Sequence, residues 1–274
     1  MPDHPHWDTD VRAIAVCVCA VLLILAAPVS HAAADRLGVV LMHGKRGYSG
    51  PKTLIGPLTA AIRDAGILVA APEMPWSQKR FLDRTFDGIM AEIDAAVATL
   101  RTKGATRIVV GGHSIGGNLG LAYGARRDGL AGVLVIAPGH FPESHGFRKR
   151  FGSDVADAAA MISAGRGDQV TNFNDIQSGV SVPFAMRADI YLDFMDPDGP
   201  MTMPANAAAL KPGTSLLLII GEKDHTFRWG RGGRDYIYDH APDHPKSAYV
   251  VVPGGHKATP RIGADAIVAW LLSL

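Results

Sequence analysis

The sequence predicts an α/β fold, with a mainly parallel sheet of about six strands flanked by helices. Six short apolar runs, each followed within two residues by glycine or proline, are typical of strands that are buried on both faces. They lie at residues 37–42, 67–71, 108–110, 132–137, 215–220 and 248–252. Helical patterns separate most of these runs, and this alternation predicts βαβ crossovers and a sheet covered on both sides.

Apolar residues spaced three or four positions apart predict the helices between the strands. The clearest pattern runs over residues 86–100 and ends before Gly104, a residue type that commonly terminates helices. Further helical patterns cover residues 53–65, 119–127 and 264–272. Each of these segments follows a predicted strand or a turn, as expected for crossover helices.

Residues 141–211 interrupt the alternation of strands and helices. They contain a helical pattern at 154–164, a hairpin pattern at 173–184 about Ser178 and Gly179, and a short helical pattern at 186–195. An insertion of this length between two sheet strands typically forms a cap or lid. We therefore expect one domain over residues 33–274, with 141–211 as its cap.

The first 32 residues have the features of a secretory signal peptide. An apolar run over residues 13–29 follows Arg12, and small residues around Ala32 and Ala34 provide a cleavage site. The run is close to the lower length limit for a membrane-spanning helix, so an uncleaved anchor is the alternative. We expect residues 1–32 to be removed and the protein to be periplasmic or secreted, with membrane contact only if the segment stays uncleaved.

Composition excludes several classes of partner and chemistry. With 47% hydrophobic and 19% charged residues and a net charge of +1, the chain is globular and gives no reason to expect nucleic acid as a partner. Both cysteines, Cys17 and Cys19, lie in the segment predicted to be removed, so a cysteine nucleophile is not expected. No metal site is expected at His240 and His244, because nearby prolines prevent a helix that would align them, and no cofactor is expected.

The strand predicted at 108–110 runs directly into the pattern G-x-S-x-G. It reads Gly112-His113-Ser114-Ile115-Gly116, and a helical pattern follows. A serine on a tight strand-to-helix turn has strained backbone angles, so glycines two residues to either side avoid clashes. The turn exposes the hydroxyl at a helix N-terminus, whose free N–H groups favour negative charge. The sequence therefore predicts Ser114 as a nucleophile.

A serine nucleophile needs a base that a third group orients, and two later loops provide candidates. Asp224 follows the strand at 215–220, and His256 follows the strand at 248–252. The carboxyl ends of parallel strands share one edge of the sheet, so these residues are expected to meet Ser114 there. Glu222 and Glu143 remain alternatives for the acid, and Asp224 is favoured over Glu222 because it lies deeper in its loop.

These motifs resemble the α/β-hydrolase superfamily over nearly the whole mature chain, through Met42-His43-Gly44 and residues 112–116, 221–224 and 254–256. The resemblance implies an α/β-hydrolase domain over 33–274, with Ser114 as nucleophile, His256 as general base and then acid, and Asp224 orienting its imidazole. It also implies an oxyanion hole formed by the backbone N–H groups of Ile115 and Lys45. The chain departs from the family in having a single legible strand before the His43-Gly44 loop, where a hairpin is common.

Other residues near the predicted site have weaker signals. Trp76 follows the second strand and is either a wall of the acyl pocket or a packed aromatic. Arg228, with Arg231 and Arg234, follows Asp224 and either binds an anionic part of the substrate or pairs with nearby aspartates on the surface. His43 and His113 are interpreted as structural, with the side chain of His113 pointing away from the three predicted catalytic residues.

The leading hypothesis is an exported carboxylic ester hydrolase that forms an acyl-enzyme on Ser114. An amidase or peptidase would use the same residues, because the choice of leaving group depends on the shape of the pocket. A non-catalytic periplasmic binding protein of the same fold is the third hypothesis. The expected partner is a small-molecule ester or amide.

Overall fold

A computed structural model of the protein describes Met1 and residues 35–177, 180–228 and 233–274. The predicted signal peptide, the hairpin turn at Ser178 and Gly179, and Arg231 lie outside these described residues. From Asp35 to Leu274 the chain forms one compact unit. None of the described helices combines the length and the apolar character needed to cross a membrane.

Eight strands are present in the described residues, and six of them form one sheet. The order in that sheet is β2-β1-β3-β4-β7-β8, and every neighbouring pair is parallel. The strands are β1 (Leu37–Met42), β2 (Leu68–Ala70), β3 (Arg107–Ser114), β4 (Gly132–Pro138), β5 (Val170–Gln177), β6 (Val180–Arg187), β7 (Ser215–Gly221) and β8 (Ala248–Val252). The predicted six-stranded parallel sheet is confirmed, and β5 and β6 pair separately as an antiparallel hairpin.

Helices cover both faces of the sheet. They are α1 (Gly56–Asp64), α2 (Phe86–Thr102), α3 (Ile115–Arg126), α4 (His145–Ser163), α5 (Ala188–Met195), α6 (Met203–Ala208), α7 (His225–Arg228), α8 (Thr259–Ile262) and α9 (Ala264–Ser273). The helix predicted at 154–164 begins earlier than its apolar pattern indicated. Its first turns are stabilised by tertiary packing, because the ring of Phe147 lies 5.3 Å from the ring of His140, outside the helix, and Phe151 is buried in the core.

Two apolar clusters form the core, one on each face of the sheet. Side chains alternate along a strand, so Val39 and Leu41 of β1 join one cluster while Val40 and Met42 join the other. The first cluster includes side chains of α1 and α9, and the second includes side chains of α2 and α3. Burial on both faces explains why the strands read as continuous apolar runs.

The segment between β4 and β7 contains α4, the β5–β6 hairpin, α5 and α6. Its side chains join the same core cluster as α2 and α3, with Phe173 stacked on Tyr191 at 4.3 Å between ring centres. Asp193 accepts a hydrogen bond of 2.7 Å from the backbone N–H of Phe86 at the start of α2. The segment is thus attached to the sheet layer by apolar and polar contacts, and its role as a cap stays a prediction.

Candidate active site

Ser114 lies on the turn between β3 and α3 with φ 58° and ψ −121°. This left-handed conformation is uncommon outside glycine and costs about 1–3 kcal/mol, so the surroundings must enforce it. A Cβ atom on Gly112 would lie 2.1 Å from the carbonyl oxygen of Met42, and one on Gly116 would lie 2.8 Å from the same oxygen. The two glycines are therefore needed because the turn presses against the end of β1.

Three predicted residues form a continuous row of hydrogen bonds. The Oγ of Ser114 lies 3.1 Å from Nε2 of His256, and Nδ1 of His256 lies 2.8 Å from Oδ2 of Asp224. The Ser114 hydroxyl can donate to Nε2 while Nδ1–H donates to the carboxylate. The fold thus brings together loops after β3, β7 and β8, as expected for the carboxyl ends of parallel strands.

Asp224 is fully buried and held from both sides. Burial alone would raise the pKa of its carboxyl group, but the hydrogen bond and charge of His256 and two bonds from Thr226 outweigh it and lower the pKa. The backbone N–H and the hydroxyl of Thr226 both donate to Oδ1 at 2.8 Å. The carboxylate therefore stays ionised and fixed in orientation. Thr226 was missed in the sequence analysis, although a threonine two residues after an aspartate is a common turn partner.

His113 packs against His256 and forms a hydrogen bond with its backbone. Its Nε2–H donates to the backbone carbonyl of His256 at 3.0 Å, and the two rings lie 4.8 Å apart. Burial, together with repulsion from His256, lowers the pKa of His113 to about 3, so this ring is neutral near pH 7. The structural interpretation of His113 agrees with this contact, although its ring lies beside His256 rather than away from it.

The carboxyl groups of Glu143 and Glu222, the two alternative acids, contact residues other than His256. The Oε1 atom of Glu143 accepts a hydrogen bond of 2.8 Å from the hydroxyl of Tyr236. The side chain of Glu222 is 51% exposed and faces Lys223 at 3.9 Å. Among the described contacts, the carboxylate that binds His256 is that of Asp224.

The loop after β1 is rigidly held close to Ser114. Nδ1–H of His43 donates to the carbonyl of Gly44 at 2.8 Å, and Nε2 accepts from the backbone N–H of Met74 at 3.1 Å. The indole N–H of Trp76 donates to the carbonyl of His43 at 2.8 Å. Burial lowers the pKa of His43, so it is a neutral structural group as interpreted from the sequence. These bonds fix the path of Lys45, the next residue but one.

The predicted oxyanion donors are Ile115, which follows Ser114 in the chain, and Lys45, which follows Gly44; a Cβ atom on Gly44 would lie 3.2 Å from Cβ of Ser114. Ile115 is the first residue of α3, so its backbone N–H has no carbonyl partner four residues earlier in the helix. Lys45 lines the same cavity as Ser114 and His256, at the end of β1 next to β3. Such a pair of backbone donors is suited to stabilise negative charge on a carbonyl oxygen.

A cavity of about 260 Å³ opens in front of Ser114 and His256. We call it the Ser114 cavity; its remaining walls come from the loop after β1, the start of α1, and Lys257. Lys45 also lines a second, smaller space of about 10 Å³, the inner crevice, together with Ile115 and with residues of the hairpin and α5 such as Met186 and Tyr191. Trp76 is buried and lines neither space; it faces a third crevice of about 30 Å³ with Phe184.

The comparison with protein families agrees with the fold. The model of the alpha/beta hydrolase family matches residues 12–269. The chain belongs to the alpha/beta hydrolase family. No curated protein matches its sequence.

Solved structures with the same fold come from several organisms. Est1E from Butyrivibrio proteoclasticus with bound ferulic acid is 17% identical, with 90% of this chain and 92% of that chain covered and a TM-score of 0.56. A thermostable carboxyl esterase from Bacillus coagulans is 14% identical, with coverage of 87% and 89% and a TM-score of 0.57. A soluble variant of monoglyceride lipase from Saccharomyces cerevisiae is 14% identical, with coverage of 89% for both chains and a TM-score of 0.58. At these identities the likeness concerns the fold.

Two further residues of this hydrolase were missed in the sequence analysis because they contact the site from distant parts of the chain. A Cβ atom on Gly139, just after β4, would lie 2.4 Å from Oγ of Ser114, so only glycine leaves room for the hydroxyl. Asp175 on β5 forms an ion pair with Nζ of Lys45, joining the inserted segment to the loop after β1. The Pro138-Gly139 pair at the end of a buried strand was the available signal for the first; nothing local indicates the second.

The arginines after Asp224 are only partly described. Arg228 is the last residue of α7, and its side chain lies outside the description, as does all of Arg231. The guanidinium of Arg234 donates to Asp239 at 2.8 Å and lies over the ring of Tyr238 at 5.2 Å. This residue therefore follows the surface-pairing interpretation, and a substrate role of Arg228 stays a prediction.

One group of described residues has ligand atoms close enough for a metal ion. Atoms of Asp224, His225 and His256 lie within 4.8 Å of one another. Two of these residues already share a hydrogen bond, so a cation there would displace the proton on Nδ1 of His256. Metal binding by these three residues would therefore compete with the hydrogen bond between Asp224 and His256 that orients His256 toward Ser114.

Proposed function

We propose that this alpha/beta hydrolase is an exported serine hydrolase that cleaves carboxylic esters through an acyl-enzyme on Ser114. The observation that carries the proposal is the row from Ser114 through His256 to Asp224, with bonds of 3.1 and 2.8 Å. Two further observations support Ser114 as nucleophile, His256 as base and Asp224 as the orienting acid. The lowered pKa keeps Asp224 ionised, and the strained backbone of Ser114 places its hydroxyl in the cavity.

In the first half of the reaction, Oγ of Ser114 attacks the ester carbonyl carbon while Nε2 of His256 takes the hydroxyl proton. The carbonyl oxygen becomes an oxyanion that accepts hydrogen bonds from the N–H groups of Ile115 and Lys45. The ionised Asp224 stabilises the imidazolium without taking its proton. The intermediate then collapses, the alkoxide leaves with the proton from His256, and an ester of Ser114 remains.

In the second half, a water molecule takes the place of the alcohol. His256 removes its proton as it attacks the acyl carbon, and the second tetrahedral intermediate uses the same two donors. Collapse returns the proton to Oγ of Ser114 and releases the carboxylic acid. The Ser114 cavity, at about 260 Å³, has room for the reacting group and the water beside His256.

Esters are proposed ahead of amides because the similar folds include proteins named as a carboxyl esterase and a monoglyceride lipase. This is support from likeness of fold, and the leaving group is decided by experiment. A panel of 4-nitrophenyl esters of rising chain length should be hydrolysed much faster than aminoacyl 4-nitroanilides. The reverse order would identify an amidase or peptidase that uses the same residues.

A fluorophosphonate probe tests the nucleophile directly. The wild-type protein should be labelled at Ser114, and Ser114→Ala should not be labelled. Ser163→Ala is a matched control, because Ser163 is exposed and its Oγ donates to the carbonyl of Ala159 within helix α4, and it should be labelled as fully as wild type. No labelling of the wild-type protein would overturn the enzyme proposal and favour the non-catalytic binding protein.

Export is tested separately from activity. Expression of the full chain should yield a periplasmic or secreted protein that lacks residues 1–32, as measured by cell fractionation and intact mass. A full-length mass in the membrane fraction would instead identify an uncleaved anchor, and a full-length protein in the cytosol would overturn the localisation.

A further inference from the structure

The Ser114 cavity is unusually basic for this chain. The chain carries 27 lysines and arginines against 26 aspartates and glutamates, so positive and negative charges are nearly balanced overall. The charged residues that line the cavity are Lys45, Lys52 and Lys257, and no Asp or Glu lines it among the described residues. A cleft lined by one sign of charge concentrates its potential and attracts ligands of the opposite sign.

Two of the three lysines are available to a ligand. Lys45 is already in an ion pair with Asp175 on β5. Lys52 and Lys257 are exposed, and within the described part of the chain neither forms an ion pair. Lys257 directly follows His256, so its backbone lies within one residue of the base that faces Ser114. Both lysines line the same cavity as Ser114 and His256, so an anionic group that they bind would lie in the cavity from which an ester reaches Ser114.

Between the lysines the cavity wall is largely apolar. Leu54 is 39% exposed and Tyr48 is 44% exposed, and both line the cavity. These side chains can cover the hydrocarbon part of a substrate while the ammonium groups pair with a charged end. A neutral ester would use the apolar wall and leave the lysines to solvent.

We propose that the preferred substrates are anionic esters, whose carboxylate or phosphate group is bound by Lys52 and Lys257 while the ester carbonyl reaches Ser114. This inference rests on the proposed function and narrows it to a class of substrate. The attraction raises kcat/KM by concentrating and orienting the substrate. The chemical step is the one derived above, with no additional reactant.

Matched pairs of esters test the preference and separate the two kinds of anion. For carboxylates, 4-nitrophenyl hemiglutarate is compared with 4-nitrophenyl valerate, which has the same acyl length and no charge. For phosphates, 1-butyrylglycerol 3-phosphate is compared with 1-butyrylglycerol in a pH-stat. Spontaneous hydrolysis at the assay pH is subtracted first, because the carboxylate of the hemiglutarate attacks its own ester. Each kcat/KM is then divided by the rate of alkaline hydrolysis of the same ester, which corrects for the difference in reactivity between the two esters.

We expect an anionic-to-neutral ratio of about tenfold in wild type for at least one pair, from two exposed ion pairs of about threefold each. Lys52→Ala and Lys257→Ala should each lower that ratio about threefold. The double charge reversal, Lys52→Glu with Lys257→Glu, should bring the ratio below one. High salt should lower the wild-type ratio, because exposed charges are screened. The pair that responds identifies the anion.

Lys103→Ala is the matched control, because Lys103 is an exposed lysine at the end of α2, before the amino end of β3. It removes the same charge and should leave the ratio at the wild-type value. A wild-type ratio at or below one for both pairs, or a ratio that the double charge reversal leaves unchanged, overturns the inference. In that case hydrolysis of the neutral esters still supports the proposed function.

If neither ester of a pair is hydrolysed and the phosphonate probe fails, the proposed function is wrong. Calorimetric titration of the wild-type protein with glutarate and with inorganic phosphate then decides on the anion site. Binding that the double charge reversal abolishes supports the site. Absence of binding by both anions overturns it.

Discussion

The Ser114 cavity measures about 260 Å³, whereas the inner crevice, which shares Lys45 with it and is lined by the inserted segment, measures about 10 Å³. The first space is rimmed by exposed lysines, and the second is lined mainly by apolar side chains such as Tyr191 and Phe194. We therefore expect the larger part of a substrate to bind in the Ser114 cavity, and the inner crevice would need the hairpin to move before it could accept a long chain.

Lys45 connects the two sides. Its backbone N–H is the proposed oxyanion donor, whereas its Nζ is bound to Asp175 on the hairpin. The groups proposed for chemistry are fixed by close backbone contacts, such as those of Gly112 and Gly139. The space around them is instead set by long side chains and an inserted segment, which is where members of one fold acquire different specificities.

The largest effect is expected from the two residues of the Ser114 cavity that carry the proposed chemistry. Ser114→Ala and His256→Ala should each lower kcat for 4-nitrophenyl butyrate by at least about 10⁴-fold, because they remove the nucleophile or its base. Circular dichroism checks that the variants fold. Activity within tenfold of wild type in a folded variant would contradict the assignment.

Substitution of Asp224, the proposed acid, should lower kcat somewhat less. Asp224→Asn should lower kcat about 10³- to 10⁴-fold, because the amide favours the wrong tautomer of His256 and cannot stabilise the imidazolium. Glu222→Gln and Glu143→Gln are matched carboxyl-to-amide controls and should lose less than about twofold. A larger loss in either control than in Asp224→Asn would move the acid to that residue.

Acid pH should destabilise both sides through one buried histidine each. Burial lowers the pKa of His113, which lines the Ser114 cavity, to about 3, and that of His140, which lines the inner crevice, to about 4. Both values lie below the ordinary 6.5, so the unfolded chain binds protons that the folded chain does not. The stability is greatest above pH 6.5 and falls as the pH is lowered toward these values.

At pH 5 the loss relative to pH 7 should be about 2 kcal/mol for each histidine in urea unfolding. His113→Asn should remove about half of this pH dependence, since the asparagine does not titrate. A free energy of unfolding that is flat between pH 7 and pH 5 in wild type would show that these rings are protonated in the folded protein.

The ion pair between Lys45 and Asp175 tests what keeps the inner crevice closed. Asp175→Asn should lower the free energy of unfolding by about 2 kcal/mol, less than a fully buried pair because the Lys45 side chain is 25% exposed. It should also raise kcat/KM for 4-nitrophenyl decanoate relative to acetate a few-fold. Asp198→Asn is the control: it breaks the exposed pair with Arg148 and should cost less than about 0.5 kcal/mol.

No effect is expected from removal of metal ions. Incubation with EDTA followed by gel filtration should leave kcat for 4-nitrophenyl butyrate within experimental error, because every proposed step uses side chains and backbone N–H groups. Excess Zn²⁺ should inhibit if it binds Asp224, His225 and His256, and that inhibition should reverse on chelation. Loss of activity after EDTA would mean that a metal takes part in the reaction.

Much of this site follows from residues that are neighbours in the chain. The strand at 108–110, the glycines around Ser114 and the following helix form one local unit, and their spacing alone predicts a strained turn. Asp224 and His256 were predicted because each follows a buried strand, and parallel strands end at one edge of the sheet. Sequence reasoning sufficed there because the geometry of a parallel sheet is nearly fixed.

Other features depended on contacts between distant segments. Only the folded chain shows that the carboxylate facing His256 is that of Asp224 and not that of Glu143. It also shows that the indole of Trp76 hydrogen-bonds to the loop of His43. The ion pair between Asp175 and Lys45 is a third contact of this kind. The cavity and its lysines arise in the same way, from the loop after β1 and the loop after β8. Thus the sequence by itself determined the sheet and the strained turn at Ser114, because local backbone sterics and burial dictate them. The tertiary structure decided the size of the Ser114 cavity, the charge of its lining and the hydrogen bonds that support the site, because these depend on which side chains meet across the fold.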